Sequence, residues 1–152
     1  MKESELMKFD WVMFDEENYE PYEISRVYMQ VEHFNCGAVY GKDSFGHGIY
    51  IAHCEEDSNY NSRKYGKVIP IPLTKEILEK NGFKKKDYGD YILIDGDAFV
   101  GWKPTHGNVR ILVSNEYMTI VKDILIPCEH IHQLQHALRL CGLNELADNI
   151  KI

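Results

Sequence analysis

Residues 69–83 read Ile-Pro-Ile-Pro-Leu-Thr-Lys-Glu-Ile-Leu-Glu-Lys-Asn-Gly-Phe, and this segment carries the clearest local signals in the chain. Proline lacks a backbone N–H, so Pro70 and Pro72 remove two hydrogen-bond donors and are expected to end any strand ladder here. We therefore predict a boundary between an acidic, β-rich lobe over residues 1–72 and a second part over residues 73–152. The two parts can still pack as one domain.

A short helix is predicted directly after these prolines, over residues 75–81. Thr74 is a favourable N-cap because its hydroxyl oxygen can accept a hydrogen bond from the first helical turn. Gly82 can adopt the left-handed conformation that ends helices, and Phe83 can then fold back onto Leu78 as in a Schellman motif. Both ends of this helix are therefore encoded locally.

The first lobe reads as short β-strands separated by turns. Strand candidates rich in Val, Ile, Tyr and Phe lie at 9–14, 22–31, 36–40 and 49–53. Glycines within residues 41–48 can supply the positive φ angles that a hairpin connection needs, whereas the polar residues 55–67 read as a loop. Several short strands at this spacing predict a small, strongly bent sheet or barrel.

An antiparallel β-meander is predicted after the helix. The Asp95-Gly96-Asp97 turn joins two apolar runs as a hairpin, and further turns separate two more runs. The predicted strands lie at 91–95, 98–102, 109–113 and 117–121. Together with the helices on either side, this meander predicts an α+β fold.

The chain closes with a predicted C-terminal amphipathic helix over residues 128–141. Its apolar residues Ile131, Leu134, Leu138 and Cys141 are spaced three or four positions apart, so they form a stripe along one side of the helix. Pro127 suits a first helical position, and Gly142 followed by Leu143 repeats the earlier helix ending. Residues 144–152 fit either a short helical turn or a closing strand.

The composition is that of a globular protein with an uneven charge. The chain has 152 residues and 44% hydrophobic content, which excludes intrinsic disorder. Residues 1–60 hold four basic and thirteen acidic side chains, whereas residues 61–152 hold thirteen and eleven. No apolar run reaches the ~18–20 residues that cross a bilayer, and residues 1–10 lack the apolar core of a signal peptide. We therefore expect a cytoplasmic protein without a membrane partner.

Metal binding is one candidate chemistry at the start of the last helix. His132 and His136 are four residues apart and would share one helix face, with Glu129 as an oxygen ligand. This set could form the centre of a metal-dependent enzyme, but a solvated helix face is the simpler explanation, and no second helix offers matching ligands. The glutamate of a His-Glu-x-x-His motif is replaced by Gln133, so we predict no metal and no cofactor.

The four cysteines are predicted to be free thiols with structural roles. Cys36, Cys54, Cys128 and Cys141 form no Cys-x-x-Cys pair, and no export signal accompanies them. A nucleophilic Cys128 would need a base and a third group that the sequence does not fix. The chain also has no phosphate-binding glycine loop and no Gly-x-Ser-x-Gly elbow, so no catalytic residue is predicted.

The longest basic run, Lys84-Lys85-Lys86, is followed by Tyr88 and Tyr91. Basic residues beside aromatic residues can hold a single nucleic-acid strand through charge and stacking. Such a run after a helix is also typical of a solvated loop, whose charge the helix C-terminus favours. Because the formal net charge is −7, nucleic acid is an alternative partner and not the favoured one.

Three segments of the sequence resemble segments of other small proteins. They read Glu-Leu-Met with Asp-Trp-Val within residues 5–12, Pro-Ile-Pro-Leu-Thr-Lys-Glu-Ile-Leu-Glu-Lys-Asn-Gly-Phe over 70–83, and Ile-His-Gln-Leu-Gln-His-Ala-Leu over 131–138. In this order they resemble small uncharacterised proteins of Bacteroides-group bacteria and their prophages or mobile elements. Those relatives often carry glycine where this chain has Phe9, in the manner of the first strand of a small SH3-like barrel. The resemblance implies an SH3-like first lobe and a phage-linked or mobile-element-linked accessory role, with no established reaction or cofactor.

We therefore predict a non-enzymatic binding or adaptor protein with a protein partner. Its contact surface is expected to involve the tryptophans Trp11 and Trp102, or the polar helix face formed by His132, Gln133 and His136. The structural alternatives are buried tryptophans and a solvated helix face. The sequence leaves the oligomeric state open.

Overall fold

The computed structural model describes residues 7–8, 10–16, 25–35, 38–42, 48–52 and 68–152. These residues form two antiparallel five-stranded sheets and three helices, so the fold class is α+β, as predicted. The chain divides into two compact units, Met1–Ile71 and Pro72–Ile152. Each unit contains one of the two sheets.

The sheet of the first unit is built from five strands that pair in antiparallel register. Its strands are β1 (Trp11–Glu16), β2 (Ser25–Asn35), β3 (Ala38–Lys42), β4 (Gly48–Ala52) and β5 (Val68–Pro70), in the spatial order β4-β3-β2-β1-β5. The predicted hairpin of β3 and β4 is confirmed by their pairing, while residues 43–47 and the predicted loop 55–67 lie outside the described residues. The SH3-like form of this sheet stays a prediction.

The strand ends at the prolines, as predicted. Pro70 is the last residue of β5, where it pairs opposite Val12 of β1. β5 is the edge strand of this sheet, and a proline is tolerated in an edge strand. The second unit begins at Pro72, which forms an isolated bridge with His130.

The second unit contains the predicted meander and three helices. Its elements are α1 (Lys75–Lys80), β6 (Lys84–Lys85), β7 (Tyr91–Asp95), β8 (Ala98–Lys103), β9 (Asn108–Ser114), β10 (Ile120–Pro127), α2 (Ile131–Leu140) and α3 (Asn144–Asp148). Its strand order, β10-β9-β8-β7-β6, follows the chain without a crossover. The four-stranded meander predicted from the sequence is therefore confirmed, with β6 as an additional short edge strand.

Both ends of α1 have the predicted cap geometry. The Thr74 hydroxyl accepts a hydrogen bond from the backbone N–H of Ile77 at 3.4 Å. Gly82 has a φ of +83°, and the N–H of Phe83 donates to the carbonyl oxygen of Leu78 at 3.0 Å, which is the Schellman pattern. The helix is short, so these caps satisfy a large share of its free backbone groups.

The junction between the last strand and α2 differs from the prediction. β10 covers Ile120–Pro127 and not residues 117–121, and α2 begins at Ile131 and not at residue 128. Pro127 is the last residue of β10, opposite Asn108 of β9. An edge strand tolerates a proline as readily as the first turn of a helix does, so the residue type fits both positions.

The core of the second unit lies between the meander and α2. Alternate residues of the central strands are buried on one face, namely Ala98, Val100 and Trp102 in β8 and Val109 and Ile111 in β9. The predicted stripe on α2 is buried as well, including Ile131, Leu134 and Leu138, and α2 contacts β9. Burial of a large aliphatic side chain contributes about 1.5–3 kcal/mol, so this stripe holds the helix on the sheet.

The sequence of residues 144–152 fits either a helical turn or a strand, and in the structure Asn144–Asp148 form the helix α3. Gln135 joins α2 to α3, because its buried Nε2 donates to the carbonyl oxygen of Ala147 at 3.0 Å. Within the described ranges, no helix is long and apolar enough to cross a membrane.

Candidate functional site

Trp102 is a core residue, so its predicted place on a contact surface is wrong. Only 8% of its surface is exposed, and its indole Nε1 donates to the carbonyl oxygen of Cys128 at 3.1 Å. Its ring lies 5.9 Å from the ring of Tyr91, which is also buried. The alternation of β8 directs this side chain inward, because Trp102 has the same parity as the buried Ala98 and Val100. Trp11 is half-buried.

The predicted polar face of α2 is largely occupied by structural contacts. His132 is buried, and its ring lies 5.7 Å from that of His130 and 5.8 Å from that of His136. Gln133 caps the helix, since its Oε1 accepts hydrogen bonds from the backbone N–H groups of Glu129 at 2.8 Å and His130 at 3.1 Å. Of the three residues predicted to form a polar contact face, His132 is therefore buried, whereas Gln133 and His136 are half-buried.

The candidate metal ligands do not converge. Glu129 precedes the helix because α2 begins only at Ile131, so it does not share the helical face of His132 and His136. The predicted spacing of the two histidines holds, with their rings 5.8 Å apart and edge-on. Among the described residues, no group of three or more His, Cys, Asp or Glu side chains is placed to hold a metal ion.

Burial determines the chemistry of Cys128. Removal from solvent raises the pKa of its thiol to about 12, because the charged thiolate would lose its hydration. The Sγ atom lies 3.7 Å from the carbonyl oxygen of His130, which favours the protonated thiol as a weak donor. A nucleophile needs the thiolate, so the geometry supports the structural role predicted for Cys128. Cys141 is also a buried free thiol, and burial raises its pKa.

The basic run lies at the edge of the second sheet. Lys84 and Lys85 form β6, and both side chains are exposed, as is that of Lys86. Tyr88 is exposed and available for stacking, whereas Tyr91 is 3% exposed and faces the core beside Trp102. One of the two aromatic residues expected to accompany the lysines is therefore unavailable.

An exposed apolar surface that the sequence reasoning missed lies at the turn between β9 and β10. We call residues 115–121 the hairpin end. Its apolar side chains are exposed to 79% at Tyr117, 85% at Met118 and 56% at both Ile120 and Val121. The sequence predicts a strand over residues 117–121, in which alternate side chains would be buried.

Asn115 fixes the backbone of the hairpin end. Its Oδ1 accepts hydrogen bonds from the N–H groups of Tyr117 and Thr119, both at 3.0 Å. Met118 has a φ of +59°, in the left-handed region that non-glycine residues rarely adopt. Asparagine favours such side-chain-to-backbone turns, and the sequence predicts a turn at residues 114–116; in the structure the turn continues to Met118, so the strand starts later than predicted. The result is a fixed turn that presents apolar side chains to solvent.

We compared the chain with protein-family models, curated proteins and solved structures, and none of the three comparisons gives a match.

Proposed function

We propose that this chain is a cytoplasmic, non-enzymatic binding or adaptor protein, linked to a phage or mobile element, and that the hairpin end contacts its protein partner. The observation that carries the proposal is the concentration of four exposed apolar side chains within the hairpin end. Contiguous exposed apolar patches are uncommon on monomeric proteins and often mark interaction sites. The accessory role rests on the resemblance of the three sequence segments.

The backbone of the hairpin end supports a contact role. Met118 holds a conformation that costs a non-glycine residue of order 1–3 kcal/mol, and strained residues of this kind cluster at functional sites. Because Asn115 holds the turn by two hydrogen bonds, little conformational freedom remains to be lost on binding. A preformed apolar turn of this kind is suited to insert into a partner's apolar cleft.

The chemistry of the hairpin end favours a protein over an anionic partner. Residues 111–121 contain no lysine or arginine, and their one charged residue is Glu116. The next cation along the chain, Lys122, is directed elsewhere, since its Nζ donates to the carbonyl oxygen of Leu140 at 3.2 Å. Nucleic-acid binding requires positive charge at the contact surface, which this turn lacks.

Site-specific crosslinking tests this proposal. A photoreactive phenylalanine analogue replaces Tyr117 in one variant and Tyr88 in a control variant, because both tyrosines are exposed and belong to the same unit. We expect one protein to crosslink at position 117 and not at position 88. With that protein purified, the double variant Tyr117→Ser/Met118→Ser should bind roughly tenfold or more weakly, as expected for a contact worth at least ~1.4 kcal/mol, and Tyr88→Ser should bind normally.

Three results contradict the proposal. They are equal crosslinking at both positions, unchanged affinity of the double variant, and crosslinking of position 117 to a second copy of this chain alone. The last result would identify the hairpin end as a self-association surface.

The alternative function is nucleic-acid binding through Lys84, Lys85 and Lys86, favoured by their shared exposure beside the exposed ring of Tyr88. The test is a mobility shift with a single-stranded oligonucleotide at ~50 mM salt, where phosphate contacts are strong. Binding that is lost when the three lysines are changed to glutamate would support this function. Absence of binding by the unaltered protein would exclude it.

A further inference from the structure

Asn81 connects the end of α1 to the C-terminal residues of the second unit. Its Oδ1 accepts a hydrogen bond from the backbone N–H of Lys151 at 2.8 Å, and its Nδ2 donates to the carbonyl oxygen of Lys151 at 2.7 Å. The same Nδ2 also donates to the carbonyl oxygen of Ile77 at 2.7 Å. The Lys80 ammonium adds a contact with the carbonyl oxygen of Ile152. We call residues 150–152, held in this way, the C-terminal tail.

The residue after Asn81 makes this amide chemically labile. In an Asn-Gly pair the backbone nitrogen of glycine can attack the side-chain Cγ of asparagine, since glycine has no Cβ to hinder the approach. The new N–C bond closes a succinimide ring and expels the side-chain nitrogen as ammonia. Water then opens the ring to aspartate or isoaspartate. Residues 81–82 are the one Asn-Gly pair in the sequence.

The fold holds both reacting groups away from this reaction. The N–H of Gly82 donates to the carbonyl oxygen of Glu79 at 3.0 Å, so the attacking nitrogen is engaged in the helix ending. The Asn81 carboxamide is held by the three hydrogen bonds to Lys151 and Ile77. Ring closure therefore requires the tail to detach and the helix ending to open.

We propose that Asn81 is a deamidation site that the C-terminal tail protects, and that deamidation releases the tail irreversibly. A carboxylate has no N–H to donate, so the product would lose the hydrogen bonds to the carbonyl oxygens of Lys151 and Ile77 and place a negative charge beside them. Of the two bonds to the tail, the product could keep only the one accepted from the Lys151 N–H, and the repulsion at the Lys151 carbonyl oxygen opposes return of the tail. This inference is independent of the proposed binding function, because it involves no residue of the hairpin end.

The first test measures deamidation directly. Folded protein is incubated in mildly alkaline buffer, and conversion of Asn81 is followed by peptide mass spectrometry. A variant lacking residues 151–152 removes both hydrogen bonds between Asn81 and the tail but keeps the buried Ile150. We expect Asn81 to convert roughly tenfold or more faster in this variant, the factor expected from the loss of two hydrogen bonds. Equal rates in two proteins that both remain folded by circular dichroism would overturn the protection.

The second test measures release of the tail. Asn81→Asp mimics one deamidation product, and Asn81→Gln keeps the amide donors as a control. Hydrogen exchange of the Lys151 amide should accelerate roughly fivefold or more in Asn81→Asp, the effect expected from losing the one bond that Nδ2 donates to the tail, while amides of β8 and β9 keep their protection. Unchanged Lys151 exchange in Asn81→Asp would contradict the release step.

Discussion

The Cys128 thiol lies fully buried after β10, and its environment links the stability of the fold to alkaline pH. Its pKa is raised from 9.0 to about 12 by burial, so the unfolded chain loses this proton at a lower pH than the folded protein. The stabilisation is therefore complete below about pH 9 and is lost as the pH rises from about 9 to about 12. A single such group contributes a slope of at most ~1.4 kcal/mol per pH unit.

We predict that Cys128→Ala removes this slope. Urea unfolding of the variant should depend less on pH than that of the unaltered protein above about pH 9. Below that pH the free energies of unfolding of the two proteins should vary with pH in the same way and differ by a constant amount, the cost of the small cavity. This parallel range provides the control. Identical alkaline slopes for the two proteins would show that the thiol is not buried in the folded state.

Gln135 is a second residue whose role depends on burial. It is fully buried, and its Nε2 donates to the carbonyl oxygen of Ala147. Gln135→Met keeps the side-chain length but removes this donor, so we expect a loss of about 1–3 kcal/mol in the free energy of unfolding. Leu140→Met on the same helix is the control, because Leu140 is exposed and the change should cost less than about 0.5 kcal/mol. Equal unfolding midpoints for the two variants would contradict the buried contact.

At the scale of elements, α1 and α2 end in the same way. Gly82 and Gly142 both have a φ of +83°, and the N–H of Leu143 donates to the carbonyl oxygen of Leu138 just as Phe83 does to Leu78. A Cβ at Gly82 would lie 3.6 Å from Leu93, and one at Gly142 would lie 3.7 Å from Lys122, both ordinary contact distances. Substitution at either glycine is therefore opposed by backbone strain and not by a clash.

We predict that Gly82→Ala and Gly142→Ala each lower the free energy of unfolding by about 1–2 kcal/mol, the cost of a left-handed conformation for an L-residue. Asparagine tolerates this conformation, so Gly82→Asn and Gly142→Asn should cost less. Urea unfolding of the four variants checks the ranking. The prediction is contradicted if alanine is tolerated as well as asparagine at both positions.

The elements that the sequence predicts well are those with local causes. Thr74, Gly82 and Gly142 act through neighbouring backbone groups, so both helix endings and the α1 cap are readable from a few residues. The end of β10 cannot be read from nearby residues, because a proline fits an edge strand and a first helical turn equally well. Pro127 lies in the strand because β10 pairs with β9, where Asn108 is its partner. The burial of Trp102 and His132 likewise depends on packing between elements, which residue type alone does not reveal.

At the scale of the whole molecule, the two structural units divide the charge differently from the two sequence halves. Unit Pro72–Ile152 has ten basic and eleven acidic side chains, a formal −1, and unit Met1–Ile71 has seven and thirteen, a formal −6. The excess of positive charge in residues 61–152 came from Arg63, Lys64 and Lys67, which belong to the first unit. The second unit is therefore not basic, which weakens the case for nucleic acid as a partner.

Lys84 and Lys85 of β6 have a simpler role than nucleic-acid binding, which is to protect the edge of the sheet. β6 is a two-residue strand at the sheet edge, and short edge strands with exposed lysines discourage pairing with another chain. We predict that Lys84→Val/Lys85→Val increases concentration-dependent association measured by light scattering. The exposed helical Lys75→Val is the control and should leave the protein unchanged. If the double variant associates no more than Lys75→Val does, the edge is not guarded by these lysines.

The hydrogen bond between Trp102 and Cys128 has a practical consequence. The chain has two tryptophans, so Trp11→Phe would leave Trp102 as its only indole fluorophore. That indole donates to the backbone between β10 and α2, and its emission wavelength depends on burial and on this hydrogen bond. A red shift in Trp11→Phe would therefore report the detachment of α2 from the sheet in real time, without an added dye.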